Sequence, residues 1–204
     1  MAGPRYIAVA GNIGAGKSTL VDFLRYRFAL TPFHEPNADN PFLTDFYSDM
    51  QRWAFHSQLY FLTHKFRLHQ ALTDHPGTVV QDRTIYEDAE IFAENLFRSG
   101  FMSPAEHGVY RTLYEGIVRT LRPPDLMIYL RAEVKTVRRR IRLRGRPEEQ
   151  DVPLAYIKQL HALYEDWFAR YDRGPTLIIP VDRLDYIQDM VDRIEIIKTI
   201  EQYL

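Results

Sequence analysis

A glycine-rich motif directly after an apolar run is the feature that most constrains this chain. Residues 11–18 read GNIGAGKS, which matches the phosphate-loop pattern G-x-x-x-x-G-K-[ST], and the run YIAVA precedes it at 6–10. Glycines at these positions let backbone N–H groups turn towards phosphate oxygens, and a helix starting near Lys17 directs its positive end at the same place. Lys17 can reach the β- and γ-phosphates, and the Ser18 hydroxyl can ligate Mg²⁺. The motif therefore predicts a strand, a loop and a helix that together bind the phosphates of a nucleotide.

Short apolar runs alternate with helical patterns along the rest of the chain. The predicted strands cover residues 6–10, 32–35, 78–82, 126–131 and 177–180. The predicted helices cover residues 17–28, 41–72, 87–98, 104–121, 134–143, 153–171 and 186–203. This alternation indicates an α/β fold with a parallel sheet covered by helices on both faces. The chain has 204 residues, which suits a single domain spanning residues 1–204.

The composition narrows the class of protein. The formal net charge is -1, whereas a nucleic-acid-binding protein more often carries a basic excess. The chain has no cysteine, which excludes disulfides, thiolate metal sites and cysteine nucleophiles and suits a reducing compartment. No apolar stretch approaches the length of a membrane span, and the N-terminus lacks a signal-peptide layout. We therefore expect a cytoplasmic protein with neither a nucleic acid nor a membrane as its partner.

Acidic residues end two of the predicted strands, at the edge where ligands bind in a parallel sheet. Glu35 ends the second strand, where a carboxylate would accept a proton from an attacking hydroxyl as a general base. Asp82 ends the third strand and is placed to hold Mg²⁺, either directly or through water. Arg83 follows it and could neutralise charge on the transferred phosphoryl group. Gly11, Glu35 and Asp82 are thus expected to lie close together.

A run of arginines begins at Arg138 and leads into GRPEEQ at 145–150. Arg140 and Arg144 are four residues apart, which places them on one helical face, where like charges repel unless an anion lies between them. Arg138 and Arg139 fit a solvated basic face better. We therefore predict a mobile lid over about 138–150 whose arginines close over the phosphates and exclude water.

A polar stripe follows one face of the predicted helix 41–72. Tyr47, Gln58 and Lys65 fall within about 20° of each other around the helix axis. Gln58 could donate to and accept from a base edge at once, so the stripe could line a nucleoside pocket, although a packing or dimer face explains it equally well. Asp88 and Phe92, also four apart, would place a carboxylate and a ring on one side of the next helix.

Together these segments resemble the deoxyribonucleoside kinase family. The resemblance spans nearly the whole chain and is carried by GNIGAGKST, HEP, WAFHSQ, DRTIYED and RLRGRPEEQDVPLAYI. It implies an α/β P-loop kinase fold, with a five-stranded parallel sheet flanked by helices and an arginine-rich lid. The implied reaction is the phosphorylation of a deoxynucleoside 5′-hydroxyl by ATP, with Mg²⁺, in a homodimer.

The resemblance also implies which residues bind the donor. The matching ATP-binding residues are Gly11, Asn12, Ile13, Gly14, Ala15, Gly16, Lys17, Ser18, Thr19, Arg140, Arg144 and Arg146. Adenine would rest against the backbone near residues 181–183. The metal residues would be Ser18 and Asp82, and the catalytic residues would be Glu35, Asp82 and Arg83. Which of the two acids is the base stays open.

The residues implied to bind the nucleoside come from four segments. They are Glu35, Tyr47, Gln58, Arg83, Asp88, Phe92 and Glu149. Arg83 matches the arginine that steadies the 5′-oxygen, and Tyr47 and Glu149 match the pair that holds the 3′-hydroxyl. Gln58 matches the amide that reads the base, and Phe92 matches the ring that stacks on it.

The expected substrate is a purine deoxynucleoside, deoxyguanosine or deoxyadenosine, in deoxynucleotide salvage. The chain resembles members that accept purines or deoxycytidine in having a carboxylate at Asp88, where thymidine-accepting members tend to have a small residue. Lys65 departs from the arginine often found opposite that acid, and lysine lacks the bidentate fork. DRT at 82–84 departs more mildly from the frequent DRS.

Two alternatives remain at this point. A nucleoside monophosphate kinase such as thymidylate kinase shares the Asp-Arg motif, but it needs a phosphate-accepting pocket where this chain has Glu35. A P-loop NTPase switch that reads guanine would usually carry N-K-x-D, and no asparagine in this chain is followed by lysine.

Overall fold

A five-stranded, fully parallel sheet in the order β2-β3-β1-β4-β5 forms the centre of the computed structural model, which describes residues 5–34, 40–145, 152–182 and 190–203. The strands are β1 (Tyr6–Gly11), β2 (Thr31–Phe33), β3 (Val79–Asp82), β4 (Leu126–Arg131) and β5 (Thr176–Pro180). The predicted α/β class and five-stranded parallel sheet are therefore confirmed.

Helices connect successive strands and cover both faces of the sheet. They are α1 (Lys17–Phe28), α2 (Leu43–Ser48), α3 (Met50–Thr73), α4 (residues 85–98), α5 (Pro104–Val118), α6 (Val134–Arg144), α7 (Leu154–Ala169) and α8 (Met190–Glu201). Helix α4 consists of an α-helical turn (Ile85–Glu87), a π-helical segment (Asp88–Ala93) and a second α-helical part (Glu94–Arg98). Among the described helices, none is long and apolar enough to cross a membrane.

Strand β1 lies at the middle of the sheet and is buried along its whole length. Its side chains alternate between two apolar clusters, as the two-residue period of a strand requires. Tyr6 and Ala8 pack on the face covered by α3, α4, α5 and α7, and Ile7 and Val9 pack on the face covered by α1, α6 and α8. A fully apolar central strand thus holds the phosphate loop at its carboxyl end.

The prediction of one helix over residues 41–72 is wrong, because the chain breaks at Asp49. This residue has φ −149° and ψ 83°, which ends α2, and its carboxylate accepts the Arg52 N–H at 3.1 Å and so caps α3. Asparagine and aspartate side chains compete for backbone N–H groups in this way and therefore favour caps over helix interiors. Tyr47 consequently lies on a different helix from Gln58 and Lys65, and the three do not form one stripe.

The other described boundaries agree with the predicted ones to within three residues, and both ends agree exactly for α1 and β4. The largest difference among the helices between β3 and β5 is at α5, which ends at Val118 rather than residue 121. Helix α4 starts at Ile85 rather than residue 87, because Thr84 and Glu87 form a capping box at its start. Part of the predicted final helix, residues 186–189, lies outside the described residues.

Candidate active site

The phosphate loop joins β1 to α1 through three glycines with positive φ. Gly11, Gly14 and Gly16 have φ of 152°, 73° and 103°, which side chains other than glycine rarely adopt. Space is also tight, since a Cβ on Gly11 would lie 3.0 Å from the Leu130 carbonyl oxygen and one on Gly14 would lie 3.2 Å from Ile141 Cγ1. No side chain caps the start of α1, so its first N–H groups face the loop, as an anion site at a helix N-terminus requires.

Lys17 folds back over the start of the loop. Its Nζ donates to the carbonyl oxygens of Gly11 at 2.8 Å and Asn12 at 3.2 Å, and its side chain is largely buried. Asn12 is held in turn, because its Nδ2 donates to the Ile157 carbonyl oxygen at 3.3 Å and its Oδ1 accepts the Ile13 N–H at 2.8 Å. The ammonium group therefore lies at the mouth of the loop, where phosphate oxygens could replace the carbonyls.

Ser18 and Asp82 lie in direct contact beside the loop. The Ser18 hydroxyl donates to Asp82 Oδ2 at 2.7 Å, because β1 and β3 are paired with Val9 opposite Asp82. A hydroxyl and a carboxylate are hard oxygen ligands of the kind that Mg²⁺ takes in kinases, where substrate phosphates and water complete its coordination. Within the described part of the chain, no group of three or more His, Cys, Asp or Glu is placed to hold a metal ion.

Arg83 follows Asp82 in an unusual backbone conformation. Its φ is 60°, in the left-handed region, and its N–H donates to the Val9 carbonyl oxygen at 3.2 Å. Its guanidinium lies 4.5 Å from the centre of the Phe92 ring, an arrangement that stabilises a cation over an aromatic face. Two residues that the sequence assigned to the nucleoside site are thus brought together.

Gln58, Asp88 and Phe92 come from two helices that pack against each other. Gln58 lies on α3, is 6% exposed, and its Oε1 has no hydrogen-bond partner among the described residues. Asp88 and Phe92 lie on the π-helical segment of α4, and Asp88 is buried. π-helical turns recur at functional sites, and buried amide oxygens are normally hydrogen-bonded, so Gln58 is suited to a polar ligand.

Two tyrosines lie close to these groups. Tyr47 on α2 is 68% exposed. Burial raises the pKa of Tyr156 on α7 to about 12, with the Arg83 charge opposing this shift and Tyr47 adding to it. Tyr156 therefore lies within electrostatic reach of both residues, a position that the sequence analysis missed.

Arg140 contacts the loop through two backbone carbonyls. Its Nη1 donates to Ala15 at 2.7 Å and its Nη2 donates to Val181 at 2.9 Å, which links α6 to the phosphate loop and to the end of β5. Arg144 ends α6 and is exposed. Four of the predicted positions, Glu35, Arg146, Glu149 and Arg183, lie outside the described residues.

Glu87 is a buried acid at the site that the sequence analysis did not select. Its carboxylate accepts hydrogen bonds from the Gly11 N–H, the Thr84 N–H and the Tyr164 hydroxyl. Burial raises its pKa, while the charges of Lys17 and Arg83 oppose the shift. The signal was available, because T-x-x-E at 84–87 is the pattern of a capping box.

The fold and this arrangement define a kinase of the P-loop type. The model of the deoxynucleoside kinase family matches residues 7–204. A deoxyadenosine/deoxycytidine kinase of Bacillus subtilis is 37% identical over 185 residues, which cover 90% of this chain and 85% of that one. A deoxyguanosine kinase of Lactobacillus johnsonii is 37% identical over 204 residues, covering 95% and 90% of the two chains.

A solved structure agrees with these relatives. The deoxyadenosine kinase from M. mycoides with bound dATP superposes with a TM-score of 0.82 at 27% identity, covering 97% of this chain and 99% of the other. The chain belongs to the deoxynucleoside kinase family. This membership favours the deoxynucleoside kinase prediction over the monophosphate kinase and the NTPase switch.

Proposed function

We propose that this chain transfers the γ-phosphoryl group of ATP to the 5′-hydroxyl of a purine deoxynucleoside, deoxyguanosine or deoxyadenosine. The observation that carries the proposal is that Lys17, Ser18, Asp82 and Arg83 lie at the carboxyl ends of β1 and β3, while the buried Gln58 lies on the helix that packs against the Phe92 segment. Lys17, Ser18 and Asp82 suit a triphosphate with its metal ion, and Arg83 and Gln58 suit a nucleoside. Relatives named deoxyadenosine/deoxycytidine kinase and deoxyguanosine kinase support the purine assignment.

The donor is held by the phosphate loop and by the helix that follows it. Free backbone N–H groups of the loop and of the first turn of α1 would surround the phosphates, and Lys17 would exchange its carbonyl contacts for phosphate oxygens. Ser18 and Asp82 would hold Mg²⁺, which when bound neutralises charge on the β- and γ-phosphates. As the resemblance to the family implies, the adenine of the donor would lie against the backbone near Val181.

The acceptor hydroxyl is positioned between an acid and an arginine. Glu35 or Asp82 takes its proton as the general base, and Arg83 steadies the 5′-oxygen and the charge that develops on it. Tyr47 and Glu149 would hold the 3′-hydroxyl. Gln58 and Asp88 would read the base edge while Phe92 stacks on the ring, a combination of polar reading and stacking that planar bases require.

The lid acts after both substrates are bound. Arg140 already contacts the Ala15 and Val181 carbonyls, so small movements of α6 would transfer its guanidinium to phosphate oxygens. Arg144 and Arg146 would join it and exclude water, which prevents ATP hydrolysis while the acceptor is attacked.

The proposed functional unit is a homodimer in the cytoplasm. Val109 and Leu113 lie four residues apart on α5 and are 52% and 44% exposed. Exposed apolar side chains grouped on one helix face are typical of a protein interface. We propose that a second copy of this chain covers these side chains. Light scattering would measure the mass of the assembly in solution.

A substrate panel tests the proposal. Turnover would be measured by coupled ADP release with Mg-ATP and each deoxynucleoside in turn, and with each deoxynucleoside monophosphate as the control. We expect kcat/KM for deoxyguanosine or deoxyadenosine to exceed that for thymidine by at least about tenfold, because the pocket carries a carboxylate at Asp88. Comparable turnover of thymidine with little on purines would contradict the purine assignment, and preference for monophosphates would contradict the nucleoside acceptor.

A further inference from the structure

The peptide unit between Arg83 and Thr84 is held from both sides by buried side chains of opposite charge. Lys65 Nζ donates to the Arg83 carbonyl oxygen at 2.7 Å, and the Thr84 N–H donates to Glu87 Oε2 at 2.9 Å. Lys65 is 1% exposed and Glu87 is fully buried. Hydrogen bonds to charged groups in such an environment are stronger than neutral ones, so rotation of this peptide plane is opposed at both ends.

Arg83 requires this support. A left-handed conformation is strained for a residue with a side chain, and such strain persists only where neighbouring contacts hold it. With φ at 60°, the chain turns sharply after β3, and the Arg83 guanidinium reaches the face of Phe92. Without the two charged contacts, the backbone of Arg83 would relax towards a commoner conformation and the guanidinium would leave this position.

Glu87 extends the same constraint to the phosphate loop and to α7. Its Oε1 accepts the Gly11 N–H at 3.2 Å and the Tyr164 hydroxyl at 2.9 Å. Gly11 is also the residue whose carbonyl oxygen receives Lys17 Nζ. One carboxylate therefore connects the start of the phosphate loop, the segment that carries Arg83 and α7.

Helix capping alone does not explain these contacts. A capping box uses the acid at its third position to accept the N–H of the capping residue, which Glu87 Oε2 does. Ser103 and Glu106 form the same box at the start of α5, and there the acid is only partly buried and its hydrogen bonds with described residues are with Ser103 alone. The additional donors on Glu87, from Gly11 and Tyr164, come from other elements and all lie at the proposed active site.

We propose that Lys65 and Glu87 are positioning residues for Arg83. They lock the Arg83–Thr84 peptide in the orientation that directs the guanidinium at the reacting 5′-oxygen, and Glu87 keeps the phosphate loop in register with it. This inference rests on the proposed function, because the target of Arg83 is the acceptor of that reaction. Lys65 thereby has a different part from the base-edge contact that the sequence suggested.

A double-mutant cycle tests the inference. Glu87→Gln and Lys65→Met would each be made in the wild-type chain and in an Arg83→Gln chain, with KM and kcat measured for both substrates. If the two residues act through Arg83, each substitution lowers kcat roughly 10- to 100-fold in the wild-type chain with KM changed less than about threefold. In the Arg83→Gln chain the same substitutions lower kcat less than about threefold, because the group they position is gone.

The controls separate this role from a structural one. Glu106→Gln removes the acid of the matched capping box and should leave kcat unchanged, and thermal unfolding would show that each variant is folded. Tyr164→Phe removes one donor to Glu87 while keeping the ring, so it would replace Glu87→Gln in the double-mutant cycle if Glu87→Gln does not fold. Equal loss of kcat in both backgrounds, or no loss in either, would overturn the inference. A wild-type chain inactive with every deoxynucleoside would instead overturn the proposed function, and the inference with it.

Discussion

We propose that Asp82 and Glu35 have separate roles, one as a metal ligand and one as the general base. Asp82 ends β3 and accepts the Ser18 hydroxyl at 2.7 Å, which places it against the phosphate loop, where a metal ligand belongs. Because this contact holds the Asp82 carboxylate at the loop, we propose Asp82 as the metal ligand and Glu35 as the group that takes the proton.

Substitution of the two acids distinguishes the role of general base from the role of metal ligand. Glu35→Gln keeps the shape and removes the base, so single-turnover phosphoryl transfer should fall by roughly 10²- to 10⁴-fold with ATP binding little changed. Asp82→Asn should raise the Mg²⁺ concentration needed for half-maximal rate, because one anionic ligand is lost. Rapid-quench rates over a Mg²⁺ series measure both effects. Near-normal turnover of Glu35→Gln would remove Glu35 from the role of base.

Several residue positions followed from the sequence because each is fixed by a local rule. The glycines, Lys17 and Ser18 were placed by a motif that works only after a strand and before a helix. Asp82 was placed by strand-end geometry. Lys65 could not be placed in this way, because its contact with the Arg83 carbonyl oxygen depends on how α3 packs against a residue 18 positions away.

At the scale of elements, the phosphate loop and α6 are in direct contact. Gly14 approaches the Val137 carbonyl oxygen and Ile141 on α6, and Arg140 on the same helix donates to Ala15. The helix that carries the lid arginines is therefore in contact with the loop that holds the donor. We therefore expect movement of the lid to change how tightly the loop binds the donor phosphates.

A glycine pair separates this contact from backbone strain. Gly14 and Gly100 have φ of 73° and 78°, but a Cβ on Gly14 would lie 3.2 Å from Ile141 Cγ1, whereas one on Gly100 would meet nothing within 4 Å. Gly14→Ala should raise KM for ATP by roughly tenfold or more, because α6 is displaced from the loop. Gly100→Ala should only lower the melting temperature, because the left-handed conformation costs alanine about 1 kcal/mol. Equal ATP kinetics in the two variants would contradict the coupling.

Element prediction succeeded where one pattern dominated and failed where a side chain competed with it. The apolar run of β1 and the motif after it predict a buried strand followed by a phosphate loop and a helix, which the structure shows. Helix 41–72 failed at Asp49, because a capping side chain outweighed the helical pattern around it. The π-helical segment of α4 has no sequence signature, since its extra residue per turn is stabilised by packing against α3 and α7.

At the scale of the whole molecule, a buried histidine ties stability to pH. His69 on α3 is 1% exposed, with its Nε2 2.9 Å from the Arg122 carbonyl oxygen and its ring edge-on to Tyr6. Burial lowers its pKa, so the folded chain binds the proton less readily than the unfolded chain. The contribution of His69 to the free energy of unfolding is therefore fully present above the ordinary imidazole pKa, about 6.5. It is lost as the pH falls below that value towards the lowered pKa of the folded chain.

Thermal unfolding would measure this effect. The melting temperature of the wild-type chain should fall between pH 7.5 and pH 5.5, and His69→Gln, which can still donate to the Arg122 carbonyl oxygen, should make that fall smaller. His161→Gln, on the less buried face of α7, is the matched control and should keep the wild-type slope. An unchanged slope in His69→Gln would show that other groups set the pH dependence.

Identification of the labelled product would test the proposed transfer of a phosphoryl group from ATP to the 5′-hydroxyl. The chain would be incubated with Mg-ATP labelled at the γ-phosphate and either deoxyadenosine or its 2′,5′-dideoxy analogue, and the labelled products would be separated and identified. The account predicts labelled deoxyadenosine 5′-monophosphate from the first and no transfer to the second, because the analogue lacks the acceptor oxygen. Label that appears as inorganic phosphate regardless of acceptor, or only on added monophosphates, would contradict it.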